Sequence, residues 1–253
     1  MTIPFVKAHG AGNDFLLTWE DRAPAENLAE TARAICDRHL GIGADGWILV
    51  KPDAIRLFNS DGSEAELSGN GTRCAAAMLV DSGMAQHDVT LMTGAGLRRL
   101  RLIDRQARAF RFEMDMGLPL HPRTLHLGAR EVTVMDVGNP QCAVFVEEFP
   151  ANWESIGAEI EAHPFFPRRT NVSFVRIVDR HTIDVRFFER GAGPTLSSGT
   201  GSTGAAVAAI LRGAVQSPVV IQTQAGDLQL RWDDSVYLTG LAEITAAGEF
   251  YAR

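Results

Sequence analysis

Lysine is nearly missing from this chain. Only Lys7 and Lys51 occur among 253 residues, so few side chains are available to form a Schiff base with a substrate or with a pyridoxal cofactor. Arginine carries the remaining positive charge without any basic cluster, and the net charge is −7. That balance argues against a nucleic-acid partner, which would need a positive footprint for the phosphate backbone. Cysteine is scarce too. Cys36, Cys74 and Cys142 are odd in number and far apart, with no CxxC pair and no HExxH, so neither a disulfide scaffold nor a metal centre is expected. A reduced, cytoplasmic protein is the default. Met1–Lys7 has no signal-peptide pattern. The longest apolar runs, Ala75–Val80 and Ala205–Leu211, are far too short for a bilayer span, and no membrane partner is expected.

What is present is a repeat. At an offset of 130 positions Phe58, Ser68, Gly69, Gly71, Ala75, Ala76 and Gly83 fall on Phe188, Ser198, Gly199, Gly201, Ala205, Ala206 and Gly213. Thr93, Ala95, Gly96 and Leu100 likewise fall on Thr223, Ala225, Gly226 and Leu230. An offset near half the length, held across gaps, points to duplication. With 45% hydrophobic and 22% charged residues, the chain has apolar mass for two cores. The expected domains are residues 1–117, completed by a C-terminal strand near 242–253, and residues 118–241. Gly117–Pro122 is the linker candidate.

Each half carries a short strand, a Gly-rich turn, further strands and one Ala-rich helix, over Gly71–Ser82 and Thr200–Arg212. These two helices are apolar nearly all round. A helix without a polar face is enclosed by other elements, and its small side chains let strands come close. The expected fold is α/β (α+β): two pseudo-symmetric domains, each a curled, mostly antiparallel sheet around a central Ala-rich helix.

Both helices begin at Ser-Gly-x-Gly. Free N–H groups and the positive end of the dipole make such a start an anion site, and glycine lets a ligand approach. The plainer reading is that Ser68 and Ser198 act as N-caps. Asp45, in the Gly41–Gly46 turn, reads as a turn residue, and His9 and His39 read as structural hydrogen-bonders. Cys74, within a helix, and Cys142, on a strand, read as small buried residues.

Eight segments in order resemble diaminopimelate epimerase: His9–Phe15, Gly41–Gly46, Phe58–Glu64, Gly69–Cys74, Gly138–Pro140, Arg169–Val172, Glu189–Gly193 and Ser198–Gly201. The match runs from about residue 5 to 240. The resemblance implies a cofactor-independent isomerase of the lysine and peptidoglycan-precursor pathway, interconverting LL- and meso-diaminopimelate, with the site in a cleft between the domains. It further implies a small amino acid as ligand and a homodimer as the assembly. In the family two cysteines flank the α-carbon; one removes the α-proton and the other delivers a proton from behind.

Carried over, the binding set is Asn13, Asn59, Gly69, Asn70, Asn139, Asn171, Glu189, Arg190, Gly199 and Thr200. The catalytic set is Ser68, Ser198 and Glu189. Both cysteine positions are serine here, and Gln141 stands where the family has a histidine helper. A serine used as a bare base costs on the order of 5 kcal/mol more than a thiol unless a neighbour takes its proton. Glu189 is the neighbour expected at Ser198. Three readings stay open: an epimerase inactivated by the serines, a related racemase, isomerase or lyase acting on another amino acid or carboxylate, and a protein that binds an amino acid without turning it over.

Overall fold

The computed structural model describes residues 2–252. They divide into two compact units, one formed by the residues up to 114 together with those from 240 onward and the other by residues 115–239.

The first unit contains β1 (Thr2–Gly10), β2 (Asn13–Trp19), α1 (Leu28–Cys36), β3 (Gly46–Val50), β4 (Ile55–Asn59), β5 (Glu64–Ala65), α2 (Gly69–Asp81), β6 (Asp88–Thr93), β7 (Gly96–Gln106) and all but the end of β8 (Ala109–Gly117), which passes into the second unit after Met114. The second contains β9 (Leu120–Leu127), β10 (Arg130–Asp136), β11 (Pro140–Phe145), α3 (Trp153–Glu161), β12 (Asn171–Asp179), β13 (Thr182–Glu189), β14 (Gly193–Thr195), α4 (Gly199–Leu211), β15 (Val219–Thr223) and β16 (Gly226–Trp232). The last strand, β17 (Val236–Tyr251), contributes its first residues to the second unit and the rest to the first.

Both units are mixed sheets curled about a helix. In the first, β2 runs parallel to β3, while β1–β2, β3–β4, β6–β7 and β7–β8 are antiparallel. In the second, β11 runs parallel to β12, and β10–β11, β12–β13 and β15–β16 are antiparallel. The parallel pairing β13–β15 matches a parallel bridge between Ala54 and Met92. At the outer position β17 pairs with β1 as β9 pairs with β10.

The central helices are enclosed as their composition requires. Every residue of α2 from Gly69 to Val80 is buried, and so is every residue of α4 from Gly199 to Ala209. Alanine at Ala75–Ala77 and Ala205, Ala206, Ala208 and Ala209 keeps these helices thin, so strands pack on all sides. The second helices are amphipathic. α1 turns Ala32, Ile35 and Cys36 toward Trp47 and Phe58, and α3 turns Ile160 toward Val172 and Phe174.

Repetition extends to single hydrogen bonds. Thr93 Oγ1 donates to Gly96 O at 2.7 Å and accepts from Ala95 N, while Thr223 Oγ1 donates to Gly226 O at 2.6 Å and accepts from Ala225 N. Two helix exits match as well: Gly83 and Gly213 hold φ of 79° and 70°, the left-handed conformation that closes a helix C-terminus with least strain on glycine.

One element differs from expectation. The break after β8 is only two residues long, because β9 begins at Leu120 and takes in His121 and Pro122; the two prolines hide a strand whose side chains are mostly exposed. α1 starts after Asn27, which holds a left-handed conformation.

Candidate active site

In the first unit the chain arrives at α2 extended, with Ser68 at φ −127° and ψ 119°. Ser68 Oγ accepts from Gly71 N at 3.1 Å, an N-cap bond that satisfies one of the free donors of the first turn. Asn70, one residue into the helix, is buried and both ends of its amide are engaged. Its Nδ2 donates to Asn13 Oδ1 at 3.2 Å, and its Oδ1 accepts from Arg73 Nη2. Asn13 Nδ2 in turn donates to Asp45 Oδ2 at 2.7 Å.

Asp45 therefore does more than shape a turn: it orients the Asn13 amide. It is held by Arg38, whose Nη2 lies 2.7 Å from Asp14 Oδ1 and 2.8 Å from Asp45 Oδ1. Lys7 Nζ sits 3.0 Å from the other oxygen of Asp14. Partial burial alone would raise the Asp14 carboxyl, but its bonds to Arg38 and Lys7 outweigh burial and hold it below the ordinary carboxylate value. Arg73 is fully buried, and burial draws its guanidinium down to about 10. Its Nη1 has no partner among the described residues.

The second unit repeats the plan with different chemistry. Ser198 approaches α4 at φ −141° and ψ 125°, and its Oγ accepts from Gly201 N at 3.1 Å. The hydroxyl also donates to Glu189 Oε1 at 2.6 Å, within the range of an O–H bond to an ionised carboxylate. Ser198 is only 3% exposed. Asn139 Nδ2 donates to Thr200 Oγ1 at 3.3 Å, as Asn70 and Asn13 are joined in the first unit.

Gln141 Nε2 donates to Asn139 Oδ1 at 2.6 Å. Its stem lies so close to α4 that a Cβ on Gly204 would come within 2.9 Å of Gln141 Cβ. Asn171 is fixed through Nδ2 to Pro140 O at 3.0 Å, and its Oδ1 accepts from Arg190 N at 3.0 Å. The turn after β13 is secured by Glu161, which accepts from Gly191 N at 3.4 Å and from Arg169 Nη1 at 3.1 Å.

Within each unit, then, the named residues gather at the helix start. Ser68, Gly69, Asn70 and Asn13 do so in the first, and Ser198, Gly199, Thr200, Glu189, Asn139 and Gln141 in the second. Asn59 ends β4, and its Nδ2 donates to Ser63 Oγ at 3.0 Å. Arg190 ties back through Nη1 to Arg168 O at 3.4 Å.

Glycine at the helix starts has a packing reason besides ligand approach. A Cβ on Gly71 would meet Ile48 Cδ1 at 2.9 Å, and one on Gly201 would meet Phe187 Cδ1 at 2.7 Å. The three cysteines are free and buried, and burial pushes each thiol up to about 12. Such thiols carry little thiolate at neutral pH.

Arg38 and Glu161 lie outside every segment of the resemblance, and Asp14 lies inside one without being among the carried-over residues. Asp14, Arg38 and Glu161 act on other residues through side-chain bonds that spacing does not reveal. Arg73 lies in a helix whose other charged residue is Asp81, at its last position.

A family model described as diaminopimelate epimerase matches residues 5–121 and 133–245. A diaminopimelate epimerase from Pelotomaculum thermopropionicum is 38% identical, the alignment covering 98% of this chain and 99% of that protein. Another from Moorella thermoacetica is 39% identical, covering 97% and 98%. Among solved structures, one described as a predicted epimerase from Pseudomonas aeruginosa superposes with a TM-score of 0.77 at 17% identity, covering 99% of this chain and all of the other. Matched along nearly its whole length by the family model and by relatives well above 30% identity, this chain belongs to the diaminopimelate epimerase family.

Proposed function

We propose that the chain interconverts stereoisomers of diaminopimelate by proton transfer at the α-carbon, made directly between side chains and substrate. The observation that carries this reading is the 2.6 Å hydrogen bond from Ser198 Oγ to Glu189 Oε1 at the start of a buried helix. A hydroxyl alone is a poor base. One whose proton can pass to a carboxylate as it takes another avoids a free alkoxide.

The step balances. The α-C–H bond breaks, its proton goes to Ser198 Oγ, and the hydroxyl proton moves to Glu189. The electron pair left on the α-carbon is delocalised into the substrate carboxylate. The N-terminal N–H groups and dipole of α2 or α4 favour that negative charge. Asn13, Asn59, Asn70, Asn139, Asn171 and Arg190, with the Gly69 and Gly199–Thr200 backbones, are the binding groups in this reading. Their amides are held in fixed orientations by partners such as Asp45 and Pro140, which lowers the cost of ordering them around a ligand. Ser68, which caps the matching start of α2, is the second hydroxyl of this reading. Gln141 modulates the site by orienting Asn139. The same reading carries lysine biosynthesis, a cytoplasmic setting, a homodimer and no nucleic-acid partner.

The test is chiral separation of the products after incubation with LL- and with meso-diaminopimelate. The wild-type chain is expected to interconvert them slowly. A Ser68→Cys, Ser198→Cys variant should gain on the order of 10³–10⁴-fold, the factor set by roughly 5 kcal/mol between hydroxyl and thiol as acids. The reading falls if neither protein changes either isomer.

A further inference from the structure

β11 buries Gln141 beside Cys142, Ala143 and Val144, and Gln141 is only 2% exposed. The fold does not require an amide there. In the first unit Phe15 stands two residues after Asn13, as Gln141 stands two after Asn139. Phe15 pairs with Gly46, the first residue of β3, and Gln141 pairs with Asn171, the first residue of β12. Both side chains lie against a glycine of the central helix. A Cβ on Gly71 would meet the Phe15 ring at 3.4 Å, and one on Gly204 would meet the Gln141 stem at 2.9 Å. An apolar ring thus serves the packing in one unit where an amide stands in the other. That amide is poorly served by its surroundings: Gln141 Oε1 is buried with no partner among the described residues, an arrangement that costs stability. The bond its head does make goes to Asn139 Oδ1, at 2.6 Å.

This bond sets the direction of the Asn139 amide. Asn139 Nδ2 meets Thr200 Oγ1 at 3.3 Å, but a hydroxyl can donate or accept, so Thr200 suits either orientation. With Oδ1 held by Gln141, Asn139 turns its N–H groups toward the first turn of α4. One goes to Thr200, and the second is left for a ligand. We infer that Gln141 is a positioning residue: it fixes Asn139 as a hydrogen-bond donor and so matches the start of α4 to an acceptor oxygen of the ligand. The inference rests on the reading above in which Asn139 meets diaminopimelate. It adds that the polarity Asn139 presents is chosen by residue 141, acting through one hydrogen bond.

The experiment measures binding of meso-diaminopimelate by calorimetry at about pH 8 and about pH 5.5, on either side of the range in which a buried carboxyl titrates. The wild-type chain is compared with Gln141→Met and Gln141→Glu, circular dichroism confirming each fold. Methionine keeps the length of the side chain without the donor, and should weaken binding about five- to tenfold at both pH values, the scale of one hydrogen bond. Ionised glutamate only accepts and turns the Asn139 amide round, so at the higher pH Gln141→Glu should bind more weakly than Gln141→Met. Burial raises a carboxyl's pKa, and the protonated group regains an O–H donor, so at the lower pH Gln141→Glu should recover to within about threefold of wild type. A side chain that merely fills space would show no such recovery. In an Asn139→Ala background the difference between the two variants should vanish. Equal deficits at both pH values, no deficit in either variant, or a difference that persists without Asn139 would overturn the inference and leave the proposed function standing. If the wild-type chain binds no isomer of diaminopimelate, the proposed function fails, and this inference with it.

Discussion

Asp14 shows how a carboxylate can organise a site through its neighbours. It pairs with Arg38 and Lys7 and shares Arg38 with Asp45, and Asp45 fixes Asn13. Because its carboxyl titrates below the ordinary value in the folded chain, the stability it contributes is fully present above about pH 4, the unfolded carboxylate range. That stability is lost as pH falls through the lowered folded value. An Asp14→Asn variant should therefore show a flatter fall of stability between about pH 5 and 2 than the parent, read by urea denaturation at each pH. Parallel curves for the two proteins would remove Asp14 from the acid response. At this scale the sequence was legible where a motif repeats, in the Ser68 and Ser198 caps and in the carboxylate expected beside Ser198. It was opaque where a contact is made across the fold. Nothing in the spacing of Arg38 and Asp14 announces a guanidinium that bridges two carboxylates.

At the scale of elements, the two Ala-rich helices were readable from composition alone, since a helix with no polar stripe must be enclosed. Their starts were readable as serine caps, and both serines do cap. The reason for the third residue of each start was not readable, because it depends on which side chain arrives from a distant strand. Phe187 packs so tightly on Gly201 that Gly201→Ala must either displace the ring or shift α4. The expected cost is about 1–3 kcal/mol, typical of overpacking in a close-packed core. The same Cβ would press within 2.9 Å of Ser198 Oγ, so activity should fall beyond what the stability loss explains. A urea midpoint equal to that of the parent would contradict this packing. β9 escaped notice for a related reason. Proline near a strand start breaks the local pattern, and the partner that completes the strand, β10, follows it in the chain.

At the scale of the whole molecule, duplication is the feature most plainly written in the chain, and it survives in pairing, helix burial, caps and turn hydrogen bonds. Duplication supplies two similar frames, and they are chemically unequal, with Glu189 in one and Asn59 in the other. This chain has two hydroxyls at matching helix starts, of which one donates to a carboxylate. Its buried thiols, raised to about 12, offer no substitute. The most direct test of proton transfer through Ser198 and Glu189 is α-deuterium in diaminopimelate recovered from heavy water after incubation with the wild-type chain. Uptake that depends on Glu189 is the predicted result. Substrate that binds and returns with its α-hydrogen intact would contradict the account.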